Sequence, residues 1–232
     1  METNNPNPNP NPEDGEKGPD NYVTLDSYLS QTKIALTNSS HSEIAPVLST
    51  YGYPATKIAD GVALHADAEK KQKDQIKEYG EQYTATDALH IAILVVSNVY
   101  IEHLELARIA FKNQRGVLSE LAAKGERKKT QDGYLSDATT FYKNLLDKPA
   151  YVVAMAKFGQ TEAILNDGYA LVKTANTKLA EQRKEQGEAQ TATKNRDIAV
   201  NLFSEWYSDF IGVAQIALKN KPELLEILGV KM

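Results

Sequence analysis

The chain has 232 residues, of which 41% are hydrophobic, and a formal net charge of −5. This length and composition can bury a substantial core, and the acidic balance, with acids and bases interleaved, excludes a general nucleic-acid-binding surface. Cysteine is absent, which excludes disulfides, thiolate metal sites and cysteine nucleophiles.

The first 21 residues are polar and proline-rich, with four Asn-Pro pairs at residues 5–12. Because proline lacks an amide donor and keeps the preceding residue out of the α region, we expect a disordered tail at 1–21. Residues 1–5 lack the basic and apolar parts of a secretory signal. The most apolar run, 91–101, is shorter than the roughly 20 residues that cross a bilayer. We therefore expect a cytoplasmic protein without membrane contact, in which 91–101 is a segment of a core helix.

An internal duplication organises the remaining chain. The frame Glu-x-Gly-Glu-x-x-Thr-Ala-Thr occurs at 78–86 and again at 185–193, which is 107 positions later. At the same offset, 26 of the 75 residues in 47–121 are identical to those in 154–228. Self-similarity over this length indicates two tandem repeats.

Repeat 1 is placed at 22–123 and repeat 2 at 134–232, with a polar linker at 124–133 between them. Within each repeat the apolar spacing predicts two short helices, one long helix and a final short helix. Gly52 and Gly159 follow the second helix of each repeat, as expected where a helix ends in a left-handed turn. The first predicted short helix is capped by Thr24 or Asp26 and ends near Leu36. The other short helices are predicted at 42–50, 114–123, 134–146, 149–157 and 222–228.

A long amphipathic helix is predicted in each repeat, at about 55–113 and 162–220. Apolar and small residues recur there at an average spacing of 3.5 without loss of phase, which is typical of coiled-coil-like, left-handed packing. The predicted fold is all-α, with two tandem repeats in one pseudo-symmetric body and the long helices paired antiparallel. The alternative is a compact four-helix bundle with turns near Gly80 and Gly187. The unbroken phase favours continuous helices, because a mid-helix glycine costs only about 1 kcal/mol.

Four tracts resemble an uncharacterised bacterial family of tandem-repeat, all-helical proteins. One is the Gly-Glu frame, which occurs twice, and the other three are Ala107–Asn113, Glu205–Ile211 and Pro222–Gly229. The resemblance covers most of the chain after the tail. It implies an all-α fold, and it implies no reaction, ligand, partner or functional residue.

No catalytic constellation is found among the residue types that carry chemistry. Gly-rich phosphate loops and serine nucleophile elbows are absent. No histidine lies three residues after a glutamate, as a di-iron bundle would need. Histidines that are hydrogen-bonded at the surface, or on the apolar stripe of the long helices that we call the seam, are therefore favoured over a metal cluster. The histidines are His41, His65, His90 and His103.

Two charged clusters could be functional sites or simply solvated surfaces. Glu78 and Glu81, and again Glu185 and Glu188, share a helix face that acid-base chemistry could use, but the neighbouring lysines favour a solvated charged surface. The basic cluster at 127–129 could bind a phosphate or an acidic partner, and a solvated loop is the favoured interpretation.

Two features are candidates for close packing or interaction. The duplicated Thr-Ala-Thr predicts a tight crossing, because small residues let a neighbouring backbone approach. The aromatic patch at 206–210 has helical spacing, which favours core packing, with a partner-binding surface as the alternative. The candidate residues are Gly80, Thr84, Ala85, Thr86, Gly187, Thr191, Ala192, Thr193, Trp206, Tyr207 and Phe210.

The predicted role is therefore that of a structural or interaction protein and not of an enzyme. We expect the long amphipathic helices to self-associate into an oligomer or a filament, so that the expected partner is a second copy of the chain. The alternative is a helical-bundle module that binds a small ligand or a protein partner. No cofactor, metal or nucleic acid is expected.

Overall fold

The computed structural model describes residues 24–230, and the predicted disordered tail at 1–21 lies outside them. The described residues form eight α-helices and no strand, which confirms the all-α fold class. The helices are α1 (Leu25–Asn38), α2 (Ala45–Thr50), α3 (Ala55–Ala110), α4 (Arg115–Glu120), α5 (Gln131–Leu146), α6 (Pro149–Ala156), α7 (Glu162–Ala217) and α8 (Pro222–Ile227).

The two long helices are continuous. α3 and α7 have 56 residues each, and they run without a break through Gly80 and Gly187, respectively. The predicted long helices at 55–113 and 162–220 are confirmed, although each ends three residues early. The alternative bundle with turns near the two glycines is wrong. A mid-helix glycine costs about 1 kcal/mol, whereas a break would leave about four N–H and four C=O groups without helical partners at the new ends.

The bounds of two helix pairs, α3 with α7 and α4 with α8, recur at the offset of the sequence duplication. Glu162, where α7 begins, lies 107 positions after Ala55, where α3 begins, and α8 follows α4 at the same offset. The turns that end the long helices also match, since the Gln114 N–H donates to the carbonyl of Phe111 and the Lys221 N–H to that of Leu218, both at 2.8 Å. These matching bounds and turns support the predicted repeat.

The short helices begin and end where local chemistry allows. α6 and α8 begin at prolines, Pro149 and Pro222, because the first helical residue needs no intrahelical amide donor. α2 and α6 are followed by Gly52 and Gly159, whose φ angles of +82° and +79° are left-handed, as predicted. α2 begins three residues later than predicted, and α4 is shorter than its predicted range.

α5 begins at Gln131, so the last three residues of the predicted linker at 124–133 are helical. The hydroxyl of Thr130 accepts a hydrogen bond from the Gly133 N–H at 3.2 Å, just as that of Thr24 accepts one from the Ser27 N–H at 3.2 Å at the start of α1. A sequence signal for this start exists: Thr-x-Asp-x-Tyr-Leu-Ser occurs at 24–30 and again at 130–136.

The chain divides into two units, and these do not coincide with the predicted repeats. Within its described residues, unit 1 consists of 24–71 and 196–230, which hold α1, α2, the start of α3, the end of α7 and α8. In this unit α3 and α7 pack antiparallel. The ring of Tyr53, just before α3, lies 5.5 Å from that of Phe210 in α7. The ring of His65, within α3, lies 5.0 Å from that of Phe203, which comes earlier in α7.

Unit 2 is continuous, from residue 72 to residue 195, and holds the rest of α3, the start of α7 and helices α4 to α6. Its core is built around Tyr100, Phe141 and Tyr142, all fully buried. Here, too, α3 and α7 are antiparallel. Tyr79, near the start of the part of α3 that lies in unit 2, contacts Thr193. The later part of α3 shares one buried cluster with the first four turns of α7.

Candidate interaction surface

Gly80 and Gly187, the glycines of the duplicated frame, are exposed. A Cβ added at either position would meet nothing within 4 Å. Among residues 24–230, no neighbouring element therefore requires a glycine at either position.

The threonines of the frame are satisfied by their own helices. Thr84, Thr86 and Thr191 are exposed, and each hydroxyl donates to the carbonyl four residues earlier at 2.8–2.9 Å. Thr193 does the same at 3.0 Å and lies 3.3 Å from the hydroxyl of Tyr79. Such bonds keep a threonine hydroxyl satisfied within a helix.

The alanines of the frame face inward. Ala192 is buried and Ala85 is half-buried. A methyl group at a covered position is small enough to leave room for a neighbouring helix, and close packing at the frame stays a prediction. Within the frame, Ala192 is buried and Ala85 and Thr193 are half-buried, whereas the other candidates are exposed.

Three carboxylates of the frame gather in unit 2. One carboxylate oxygen from each of Glu78, Glu185 and Glu188 lies within 4.8 Å of the other two, so the three side chains are close enough to contact one cation together. Lys184 already neutralises two of them, since its ammonium lies 3.0 Å from Glu185 and 2.9 Å from Glu188. Hydrogen bonds to these carboxylates raise the pKa of Lys184. On the opposite helix Lys77 lies 3.7 Å from Glu78. The arrangement is a lysine-balanced charged surface.

The predicted aromatic patch packs inside unit 1. Phe210 is fully buried and stacks on Trp206 with ring centroids 5.3 Å apart. Tyr207 is half-buried, with its ring 6.2 Å from that of Tyr28, and burial raises its pKa to about 12. These contacts correspond to the core-packing interpretation of the patch.

Two histidines of the seam are buried and hydrogen-bonded individually. His65 Nε2 lies 2.8 Å from the carbonyl oxygen of Leu29. His103 Nδ1 lies 2.8 Å from the Tyr142 hydroxyl, and burial lowers the pKa of His103. His90 is exposed. The structure thus gives the two buried rings separate structural partners.

The surface that sequence reasoning missed is apolar. The run 91–101 was expected to be a core segment, but this expectation is only partly right: Val96 and Tyr100 are buried, whereas Ile91 is 61% exposed. Four side chains of the run form this exposed face of α3: Ile91, Leu94, Val95 and Ile101.

The same outward positions are apolar in both repeats. Ile198, the counterpart of Ile91 at the offset of 107, is 59% exposed, and Leu202, the counterpart of Val95, is exposed as well. A second pair, Ile109 and Ile216, is 55% and 62% exposed. We call Ile91 and Val95 in unit 2 and Ile198 and Leu202 in unit 1 the duplicated apolar pairs. Aligning the repeats and asking which retained isoleucines fall outside the seam would have found them.

α3 is the one helix in the described part of the chain that is long and apolar enough to cross a membrane. Its most apolar 18 residues have a mean hydropathy of 1.4, and 17% of that stretch is buried. One such helix is weak evidence for a membrane span, because core helices of soluble proteins can have the same length and apolar composition. The expected cytoplasmic location stays a prediction.

No protein-family model, curated protein or solved structure matches this chain. Function therefore has to be argued from the surfaces that the fold presents.

Proposed function

We propose that the protein is a structural or interaction protein that self-associates through the exposed apolar faces of its long helices. The observation that carries this proposal is the presence of the duplicated apolar pairs. Each pair is spaced by four residues, so its two side chains lie side by side on one helix face. Residues that pack the seam face the other way.

Burial of these side chains would stabilise an association. Fully burying an isoleucine, leucine or valine contributes about 1.5–3 kcal/mol relative to leaving it exposed. Single exposed apolar residues are common and need no explanation. Here, however, isoleucine stands at the same outward position in both repeats, and beside Ile91 the face widens to include Leu94 and Ile101.

A second copy of the chain is the occupant that fits this surface. It carries the same pairs, so one face can meet its own kind in a closed dimer, or the face of unit 1 can meet that of unit 2 and propagate an assembly. The second arrangement uses both copies of the apolar pair, which a partner with a single apolar face would not require.

Sedimentation velocity and light scattering of the full chain over a wide concentration range test the proposal. We expect oligomers whose fraction rises with concentration, and their loss in the double variant Ile91→Glu, Ile198→Glu. The matched control is Ala66→Glu, Ala180→Glu, which adds the same charge at exposed positions of the same helices and should leave the assembly intact.

A strict monomer at high concentration would contradict the proposal. So would equal loss of assembly in the control, because the effect would then come from charge and not from the apolar pairs. Flotation with lipid vesicles, abolished by the same isoleucine variant in a chain that stays monomeric, would assign the surface to a membrane instead.

A further inference from the structure

Unit 2 contains a cleft of about 580 Å³ between α3, the segment that precedes α5 and the start of α5. Its volume falls in the range of small-molecule sites, roughly 300–1,000 Å³. The lining combines charged, hydroxyl and apolar groups: Ser97, Ile101, Glu105, Arg108, Gly125, Glu126, Arg127, Lys128, Lys129 and Tyr134.

Arg108 ties the loop that forms the cleft rim to α3. Its guanidinium donates to the carbonyl of Ala123 at 2.8 Å, to that of Gly125 at 2.7 Å and to the Glu105 carboxylate at 2.8 Å. A planar donor fork with three acceptors holds a backbone in one geometry. The rim is therefore positioned by contacts that leave its remaining charges available.

The charges of the rim do not all cancel. Arg108 is paired with Glu105, and Lys128 with Asp137 at 2.7 Å. Among residues 24–230, neither Arg127 nor Lys129 has a hydrogen bond or ion pair, and both are exposed on the rim. Glu126 offsets one of them. One net positive charge remains, on a chain whose net charge is −5.

The inner wall of the cleft offers hydroxyl and apolar contacts. Ser97 Oγ and the Tyr134 hydroxyl share a hydrogen bond of 2.9 Å, and Ile101 lies beside them. Behind Tyr134, the ring of Tyr100 packs edge-on with centroids 5.6 Å apart. Tyr100 is 1% exposed, and its hydroxyl is the one buried side-chain polar atom in the described residues without a partner.

We propose that this cleft binds a small organic phosphate monoester, with Arg127 and Lys129 contacting the phosphate and Ile101 and the Tyr134 ring contacting the organic body. Arginine and lysine are the residues that proteins use for phosphate. A phosphate monoester carries about −1.5 to −2 charges at pH 7 and has three acceptor oxygens, so Arg127 and Lys129 can both contact it at once.

The cationic rim lies in the linker at 124–133 and has no counterpart in the first half of the chain. The hydroxyl pair recurs in unit 1, where the Tyr28 hydroxyl lies 3.1 Å from Ser204 Oγ. In repeat 1, however, the sequence before the Thr-x-Asp-x-Tyr-Leu-Ser motif is Gly-Pro-Asp-Asn-Tyr-Val and contains no lysine or arginine. The two units therefore share the hydroxyl pair, and the linker at 124–133 adds the phosphate contacts.

Isothermal titration calorimetry of the full chain with phenyl phosphate, inorganic phosphate and phenol tests the proposal at constant ionic strength. We expect phenyl phosphate to bind more tightly than either of the other two, because only it reaches both the cations and the apolar wall. Failure of phenyl phosphate to bind at millimolar concentration would overturn the proposal, and so would equal affinity for phenol.

Variants that remove either the cations or the acid of the rim then locate the site, because they should change the affinity in opposite directions. Arg127→Ala, Lys129→Ala should weaken phenyl phosphate binding roughly tenfold, whereas Glu126→Gln should tighten it about two- to fivefold by removing the one unpaired acid. The control Lys219→Ala, Lys221→Ala removes two exposed cations in unit 1 and should leave the affinity unchanged. Equal weakening in the control, or no gain in Glu126→Gln, would show general charge attraction and sink the proposal.

Discussion

Trp206 lies directly over Gly61. A Cβ added at Gly61 would stand 2.2 Å from the Cη2 atom of the Trp206 ring. At the equivalent glycine of the second repeat, Gly168, a Cβ would stand 2.5 Å from the hydroxyl oxygen of Tyr142. The same glycine thus accepts two different aromatic rings, one in the core of each unit.

Alanine substitution should separate these glycines from those of the duplicated frame. Gly61→Ala and Gly168→Ala should each lower the free energy of unfolding by about 1–2 kcal/mol, because overpacking costs about 1–3 kcal/mol and outweighs the gain in helix propensity. At Gly80 and Gly187 an added methyl group has no neighbour within 4 Å, so alanine there should raise the free energy of unfolding by about 0.5–1 kcal/mol. Urea unfolding measures all four. A gain at Gly61 equal to that at Gly80 would contradict the close contact with Trp206.

Acidification should weaken the fold through His103. Burial lowers its pKa below 6.5, so below pH 6.5 the unfolded chain takes up a proton that the folded chain does not. The stability held by the neutral ring is complete above 6.5 and falls as the pH falls toward the folded pKa.

His103→Gln should flatten this part of the dependence of the unfolding free energy on pH, measured by urea unfolding from neutral pH down to about pH 5. The exposed His90→Gln variant is the control and should keep the slope of the parent. An unchanged slope in His103→Gln would show that other groups produce it.

Enlarging the alanines of the frame should destabilise the protein in proportion to their burial. Ala192→Leu places three extra carbons at a buried position and should cost about 1–3 kcal/mol. Ala85→Leu, at a half-buried position, should cost less. Thermal unfolding together with light scattering reads stability and assembly in one series. If both variants keep the stability and assembly of the parent, the frame is not a close-packing point.

Removing either helix cap should weaken its unit. Thr24→Ala and Thr130→Ala each delete the acceptor for an amide of the first turn and should cost about 1 kcal/mol. Thr177→Ala is the control, because Thr177 is exposed in the middle of α7 and alanine is the better helix former there. A loss in Thr177→Ala as large as that in Thr130→Ala would remove the capping explanation.

Much of the fold was predictable because its signals are local. The phase of apolar residues through Gly80 predicted a continuous α3, and prolines and glycines marked the ends of short helices such as α6. The predicted linker at 124–133 extends past the true start of α5, because Gly133 is typical of a loop, although the cap at Thr130 and the repeated Thr-x-Asp-x-Tyr-Leu-Ser motif indicate that start. Helix starts depend on a few nearby residues, so a duplicated motif is enough to find them.

The candidate surfaces were less accessible to sequence reasoning. The helical spacing of Trp206 favours core packing over a partner surface, but its fit over Gly61 depends on residues 145 positions apart in the chain. The exposure of Ile91 was not foreseen, since an apolar run predicts burial without saying which neighbour supplies it. The cleft beside Arg127 needs Arg108 to hold the loop against α3.

The sequence by itself determined that this protein is helical, that its two longest helices are continuous, and that its two halves share a pattern, because periodicity, caps and breakers act within one or two turns of the chain. Only the tertiary structure decided which faces of those helices are covered. Burial is a property of contacts between distant segments, so the inward Ala192, the outward Ile91 and the rim of free cations around Arg127 are seen only when α3, α5 and α7 are placed beside their neighbours within each unit.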